Sequence, residues 1–376
     1  MSDHYCAAPF RHIALNQTTD RYRPCCMWHY DHPTPVMVSH ADPIDHPWMQ
    51  QLREHMLIGD HQVGCTKCYD SEASRGTSLR LWFNEIYGRI TDTKLQSVEM
   101  NFGNLCNLKC RMCGSWGSSK WIADEIKLGL KPEPLVRRKL DDMHINFTAL
   151  DQIKLIGGEP SLEQQAILEI LTRIKKTRGS LGHLSLEIIT NGLIPLDDEI
   201  LDLLLECNKI LLEISIDGFG SHNDYQRTGS NWTDVSRNTV FYHSFASTSW
   251  ITAISSCPGI FTIDSMTDLV DWMQAEVPNA QHVVQPIIDP KPQSIRNLPQ
   301  SYKQLIKQKL SSWNPASVGY YDQARIDNLK QNLCWHLDQS SNCDLSSVRS
   351  HINQLDSLRN EHLSVQNPEL FEHLFG

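Results

Sequence analysis

Three cysteines stand close together at Cys106-Asn-Leu-Lys-Cys110-Arg-Met-Cys113, a C-x3-C-x2-C spacing. Thiolates spaced this way bind soft metal centres, and a 4Fe-4S cubane takes four of them, one per iron. Three in one loop, with no fourth beside them, leave one iron open to a small-molecule ligand. A zinc site or plain buried thiols are the competing readings, although zinc loops more often use paired C-x2-C knuckles. A second set lies nearer the N-terminus: Cys6-Ala-Ala-Pro9, then Pro24-Cys25-Cys26, then Cys65-Thr-Lys-Cys68. One thiolate from each of Cys6, Cys25, Cys65 and Cys68 makes four, enough to saturate a 4Fe-4S cluster or a zinc ion. Adjacent side chains rarely serve one centre, so of the Cys25-Cys26 pair Cys25 is taken as the ligand.

The remaining composition favours this reading of the thiols. The chain has no apolar run long enough for a bilayer span, and its start, MSDHYCAAPF, lacks a basic region followed by an apolar core. A cytoplasmic location is therefore expected, where thiols stay reduced and cysteine clusters serve metals rather than disulfides. Eight of the 12 cysteines fall between Cys6 and Cys113, whereas Cys207, Cys257, Cys334 and Cys343 are scattered and read as buried thiols. His4, His12, His29, His32, His40 and His46 are further candidate ligands, but their spacing fits no compact metal motif. A net charge of −10 speaks against a protein built to grip phosphate backbones, so nucleic acid is disfavoured as a partner.

These groups need a scaffold, and the sequence supplies one from about residue 95 onward. Apolar runs at 95–102, 153–156, 184–190, 209–216, 251–255 and 282–288 read as strands. Helical periodicity separates several of them, at 162–176, 197–206 and 264–276. Six β–α units imply an α/β fold with a parallel sheet. Nearly every strand ends in Gly or a small polar residue, and that C-terminal rim is where βα barrels bind ligands. The first ~90 residues lack long periodic apolar runs and need help to be ordered, which a bound metal centre provides. The chain from about 299 reads as polar and helical.

The motifs on those strand ends resemble the radical S-adenosylmethionine (SAM) superfamily. Gly157-Gly158-Glu159-Pro160 follows the second strand as that family's GGEP motif does, and Thr190-Asn191-Gly192 and Ser215-Ile-Asp217-Gly218 end the next two. The resemblance implies a partial (β/α)6 barrel in which Cys106, Cys110 and Cys113 hold the SAM-binding 4Fe-4S cluster. It implies that Gly157, Gly158, Glu159 and Pro160 hold the methionyl amino end of SAM. Thr190, Asn191, Ser215 and Asp217 would touch its carboxylate, its ribose or the substrate, and Arg227 would pair with the carboxylate through a guanidinium fork. Gln285, beside Pro286, would line the adenine or substrate side. Met112 departs from the family, where an aromatic residue commonly precedes the third cysteine; a thioether can fill the same apolar space.

The N-terminal set is similar to the auxiliary-cluster modules called SPASM and twitch domains, here placed ahead of the barrel instead of after it. Glu72, Gly76, Ser78 and Arg80 fit a group of twitch-domain proteins with this order. The expected organisation is an iron-sulfur domain at 1–92, a radical SAM partial barrel at 93–298 and a helical region at 299–376. The implied activity is reductive cleavage of SAM to a 5'-deoxyadenosyl radical, which takes hydrogen from a peptide or protein side chain. Modification of a nucleotide or sugar is the alternative substrate class. A non-catalytic redox sensor or assembly protein is the alternative outside catalysis, and a SAM-binding rim argues against it. The implied partners are an electron donor such as flavodoxin or ferredoxin and a peptide substrate, with no membrane.

Overall fold

The computed structural model describes residues 4–15, 19, 21–29 and 42–376; His32 and His40 lie outside them. Among the described residues eight strands form one sheet in the order β2-β1-β3-β4-β5-β6-β7-β8. They are β1 (His12–Leu15), β2 (Tyr22–Arg23), β3 (Ser97–Asn101), β4 (Gln152–Ile156), β5 (Ser185–Thr190), β6 (Lys209–Ser215), β7 (Trp250–Ser256) and β8 (Gln281–Val284). The pairings β1–β3, β3–β4, β4–β5 and β7–β8 are parallel, while β1–β2 is antiparallel. The six strands read from the sequence are β3 to β8. The last stops at Val284, where Gln285 and Pro286 end the run; the Gln285 N–H still donates to Ser256 O at 2.9 Å. β1 and β2 were not foreseen, because four and two residues are too short to show a period.

The chain divides into two compact units. The first comprises Met1–Leu105, Leu135–Ile188 and Leu196–Ile210. Its helix Gln164–Arg178 buries Ile167, Ile170, Leu171 and Ile174, spaced i, i+3, i+4 and i+7, and stops at Gly179 in the left-handed conformation. Strands β4 and β5 alternate buried and half-buried residues, so Ile153, Leu155, Leu186 and Ile188 fill the core. On the opposite face Glu99, Lys154 and Glu187 stand in register across β3, β4 and β5, with Lys154 Nζ 2.7 Å from Glu187 Oε1.

The second unit comprises Cys106–Pro134, Ile189–Pro195 and Leu211–Gly376. Helices Trp232–His243 and Met266–Glu276 lie between its strands, the second burying Met266, Leu269, Val270 and Met273. The polar C-terminal region is helical: Gln300–Ser312, Gln323–Asp338, Leu345–Arg359 and Pro368–Phe375. Each keeps a narrow buried stripe, such as Ile326, Leu329, Leu333 and Leu337, at i, i+3 and i+4 steps. No helix among the described residues is long and apolar enough to cross a membrane.

Candidate functional site

The triad belongs to the second unit. Cys106 is buried, Cys110 and Cys113 are half-buried, and the three sulfurs are electrostatic neighbours. Burial pushes the Cys113 thiol up to about 12 and raises Cys110 as well, so both are neutral until something cationic engages them. The loop is held by backbone bonds, Lys109 N donating to Thr228 O at 3.0 Å and Arg111 N to Gln226 O at 2.7 Å. Met112 presents its sulfur to the amide of Gln226 at 3.1 Å.

Residues that end the strands of this unit meet that loop. Asn191, following β5, donates from Nδ2 to Asn107 Oδ1 at 2.8 Å, and the hydroxyl of Thr190 caps Gly192 N at 3.1 Å. Asp217, just past β6 and fully buried, takes the Cys257 N–H at 2.8 Å and stands 2.8 Å from Arg227 Nε. That last approach lacks hydrogen-bond geometry, so it is a charge contact. Arg227 Nη1 lies 3.9 Å from Cys110 Sγ. Burial opposes the Arg227 charge, but Asp217 and Cys110 beside it hold the guanidinium more firmly protonated than usual. Ser215 is half-buried at the end of β6, and Gln285 is exposed.

The GGEP turn belongs to the first unit. Gly158 N donates to Gly103 O at 2.7 Å and Glu159 N to Leu105 O at 2.8 Å, so the turn is sewn to the segment leading into Cys106. That segment is itself fixed. Gly103 takes φ 118°, where a Cβ would meet Val136 O at 2.0 Å, and the buried Asn104 accepts from Val136 N at 2.7 Å. Glu159 is buried and caps the short helix Pro160–Leu162, its Oε1 accepting from Ser161 N at 2.9 Å with Pro160 in the first turn.

The N-terminal cysteines also lie in the first unit. Cys25 has Cys6, Cys65 and Cys68 for neighbours, whereas Cys26 faces Glu99, Lys154 and Arg23. Burial drives all four thiols up, Cys65 to about 12. The motif behind Cys68 builds one network. Helix Thr66–Arg75 ends at Gly76 (φ 71°), and Ser78 caps helix Leu79–Tyr87 and donates to Glu72 at 2.5 Å. Arg80 forks onto Glu72, with Nε at 2.9 Å, and donates to Tyr5 O at 2.7 Å beside Cys6. Gly64 is required here: a Cβ would stand 2.3 Å from the Trp28 ring, which links the Cys25 segment to Cys65.

Among the described residues no three His, Cys, Asp or Glu side chains stand at metal-ligand geometry. Chemically the two thiol groupings still fit iron-sulfur ligation. One groups three cysteines, one buried and two half-buried, and the other four buried ones, and such ligands are deprotonated by the metal they receive.

Residues 100–238 match the family model described as the Radical SAM superfamily. Its fold is similar to that of native anSMEcpe with bound AdoMet, at 20% identity over 58% of this chain and 60% of that one, TM-score 0.40. It is similar to Streptococcus suis SuiB bound to S-adenosylmethionine, at 13% identity over 75% and 52%, TM-score 0.36. SuiB bound to precursor peptide SuiA matches at 10% identity over 69% and 61%, TM-score 0.36. The chain thus spans about 60% of the length of the solved structure named first. No curated protein matches the sequence.

Sequence reasoning missed Arg111, Asp356, Glu361 and Gln293. Arg111 sits inside the triad spacing and was in plain view. Its partners Gln293, Asp356 and Glu361 lie 182, 245 and 250 residues away and carry no local signature.

Proposed function

We propose that the protein is a radical SAM enzyme. The observation that carries this is the gathering of strand-end groups on the triad loop: Asn191 on Asn107, and Asp217 with Arg227 beside Cys110. A zinc knuckle or a structural thiol cluster has no need of such a rim. Cys106, Cys110 and Cys113 would hold the open-iron 4Fe-4S cluster, which when bound supplies the electron that splits SAM into methionine and a 5'-deoxyadenosyl radical.

The chain's own groups do the rest. Gly157, Gly158, Glu159 and Pro160 hold the methionyl amino end of SAM. Arg227 offers its outer nitrogens to the carboxylate while Asp217 fixes its Nε side, and Thr190, Asn191 and Ser215 supply hydroxyl and amide contacts. Cys6, Cys25, Cys65 and Cys68 would hold an auxiliary 4Fe-4S cluster able to take an electron from the product radical. The substrate we infer is a peptide or protein side chain, the class implied by a SPASM- or twitch-like module, and the electron donor a flavodoxin or ferredoxin.

The test is anaerobic reconstitution with iron and sulfide, then SAM and dithionite. The expected product is 5'-deoxyadenosine, absent from a Cys106→Ala, Cys110→Ala, Cys113→Ala triple variant. Cluster-loaded wild-type protein that leaves SAM intact overturns the reading.

A further inference from the structure

The side chain of Arg111, between two cysteines of the triad, is wholly buried. Its guanidinium lies 3.7 Å from the ring centroid of Tyr225 and 5.4 Å from that of Phe261. Nε donates to Tyr225 O at 2.9 Å, and Nη2 donates to Asp356 Oδ1 at 2.7 Å and to Glu361. The Tyr225 hydroxyl donates to the same Asp356 oxygen at 2.7 Å, and Leu363 N to the other at 2.8 Å. A cation taken from water into an aromatic cage is tolerated only where carboxylates meet it. Both carboxylates come from the helix Leu345–Arg359 and the residues just after it.

Two further ties run from that helix to the same loop. Arg359, its side chain also wholly buried, donates to Asp124 Oδ2 and to Thr228 Oγ1, each at 3.1 Å, and stacks 4.4 Å from the ring centroid of Trp121. Asp124 pairs with Lys109 at 3.1 Å, and Trp121 Nε1 donates to Cys110 O at 2.8 Å. His351 shares a hydrogen bond with Gln293 Nε2 at 3.0 Å, and Gln293 Nε2 reaches Arg111 O at 2.5 Å. Lys109, Cys110 and Arg111 are therefore each held, directly or through one intermediary, by His351, Asp356, Arg359 or Glu361.

We propose that this C-terminal helix is the positioning element of the triad loop, and that Asp356, Arg359 and Glu361 are positioning residues acting through Arg111, Asp124 and Thr228. The inference rests on the radical SAM reading above. Merely covering the sheet would ask only for the apolar stripe Val348, Ile352 and Leu355. The charged groups instead converge on the backbone and side chains between the ligands. Their effect is to fix where Cys110 and Cys113 point, and so how the open iron faces SAM.

The experiment uses the full reconstituted chain with Asp356→Asn and Glu361→Gln, each of which removes a charge at constant shape. Both are expected to keep the wild-type circular dichroism and iron content. Their reduced electron paramagnetic resonance signal should broaden and lose most of its SAM-induced change, and KM for SAM should rise about tenfold. Asp356→Glu, which restores the charge, should recover the signal in part. Should either neutral variant fail to fold, Arg359→Lys tests the second tie by the same spectrum. Variants with the wild-type signal and KM overturn the positioning role. Wild-type protein that takes up no iron at the triad, or leaves SAM intact, overturns the radical SAM reading instead.

Discussion

The Cα of Gly158 lies so close to Leu105 that a Cβ built on it would stand 2.3 Å from the Leu105 carbonyl oxygen. The neighbour is backbone, with no rotamer to turn aside, and Leu105 directly precedes Cys106. Gly157 is more forgiving, its nearest atom being Gly103 O at 3.2 Å. Gly158→Ala should therefore cost about 1–3 kcal/mol of stability by overpacking, and Gly157→Ala less. The displaced 103–105 segment should also cut 5'-deoxyadenosine formation about a hundredfold in Gly158→Ala. Thermal melts and product analysis on both variants check this. Equal behaviour of the two would remove the steric argument.

Cys25 and Cys26 are adjacent in sequence but face different company. Cys25 looks toward Cys6, Cys65 and Cys68, while Cys26 looks toward Glu99, Lys154 and Arg23. Cys25→Ser is expected to lower the iron content of the reconstituted protein by about four atoms per chain, and Cys26→Ser to leave it unchanged. Iron, sulfide and zinc analysis distinguishes the outcomes. Loss of one zinc in Cys25→Ser would assign the site to zinc, and iron loss in Cys26→Ser would reverse the choice of ligand.

The Glu72–Arg80 fork is the brace of this N-terminal set, because the same guanidinium carries Tyr5 O and sits beside Cys6 and Cys68. Both side chains are largely buried, so removing one partner leaves a charge without compensation. Arg80→Met should destabilise the protein by about 2–4 kcal/mol, and Arg80→Lys by less, since a single ammonium keeps the charge but loses the fork. Denaturant titration measures both. An Arg80→Met variant as stable as wild type would show that the network is incidental.

Much of this was legible beforehand, for identifiable reasons. Strands β3 to β8 announce themselves as apolar runs closed by Gly or small polar residues, and the triad and GGEP spacings are local. The helix Trp232–His243 was hidden because its buried face includes Asn238, whose amide is satisfied only in three dimensions, on Gly192 O at 2.9 Å. β1 was hidden because four buried residues, His12–Leu15, show no alternation. Arg111 and Asp356 illustrate the deeper limit: a buried ion pair between residues 245 apart has no pattern in either segment.

His282 sets a pH dependence whose sign can be worked out from its partners. The Ser256 hydroxyl is committed to Ile216 O at 2.5 Å, so Ser256 Oγ accepts from His282 Nε2 at 2.8 Å and the Tyr321 hydroxyl donates to Nδ1. The ring is thereby held as the neutral Nε2–H tautomer, and burial lowers its pKa to about 3. His12, buried against Ser97, is likewise lowered to about 3 by burial and by Lys154. Both depressed values lie below the ordinary histidine value near 6.5, so below that pH the unfolded chain binds protons that the folded chain does not. The contribution of these two histidines should be flat above about pH 7 and fall as pH drops from about 6.5 toward 3, by roughly 1.4 kcal/mol per pH unit for each. His282→Gln should cost stability at pH 7 through its altered hydrogen bonds, yet flatten the slope between pH 6 and 5 by about one proton's worth. Urea denaturation at the two pH values measures it, and an unchanged slope in His282→Gln would mean that the imidazole is already protonated in the fold.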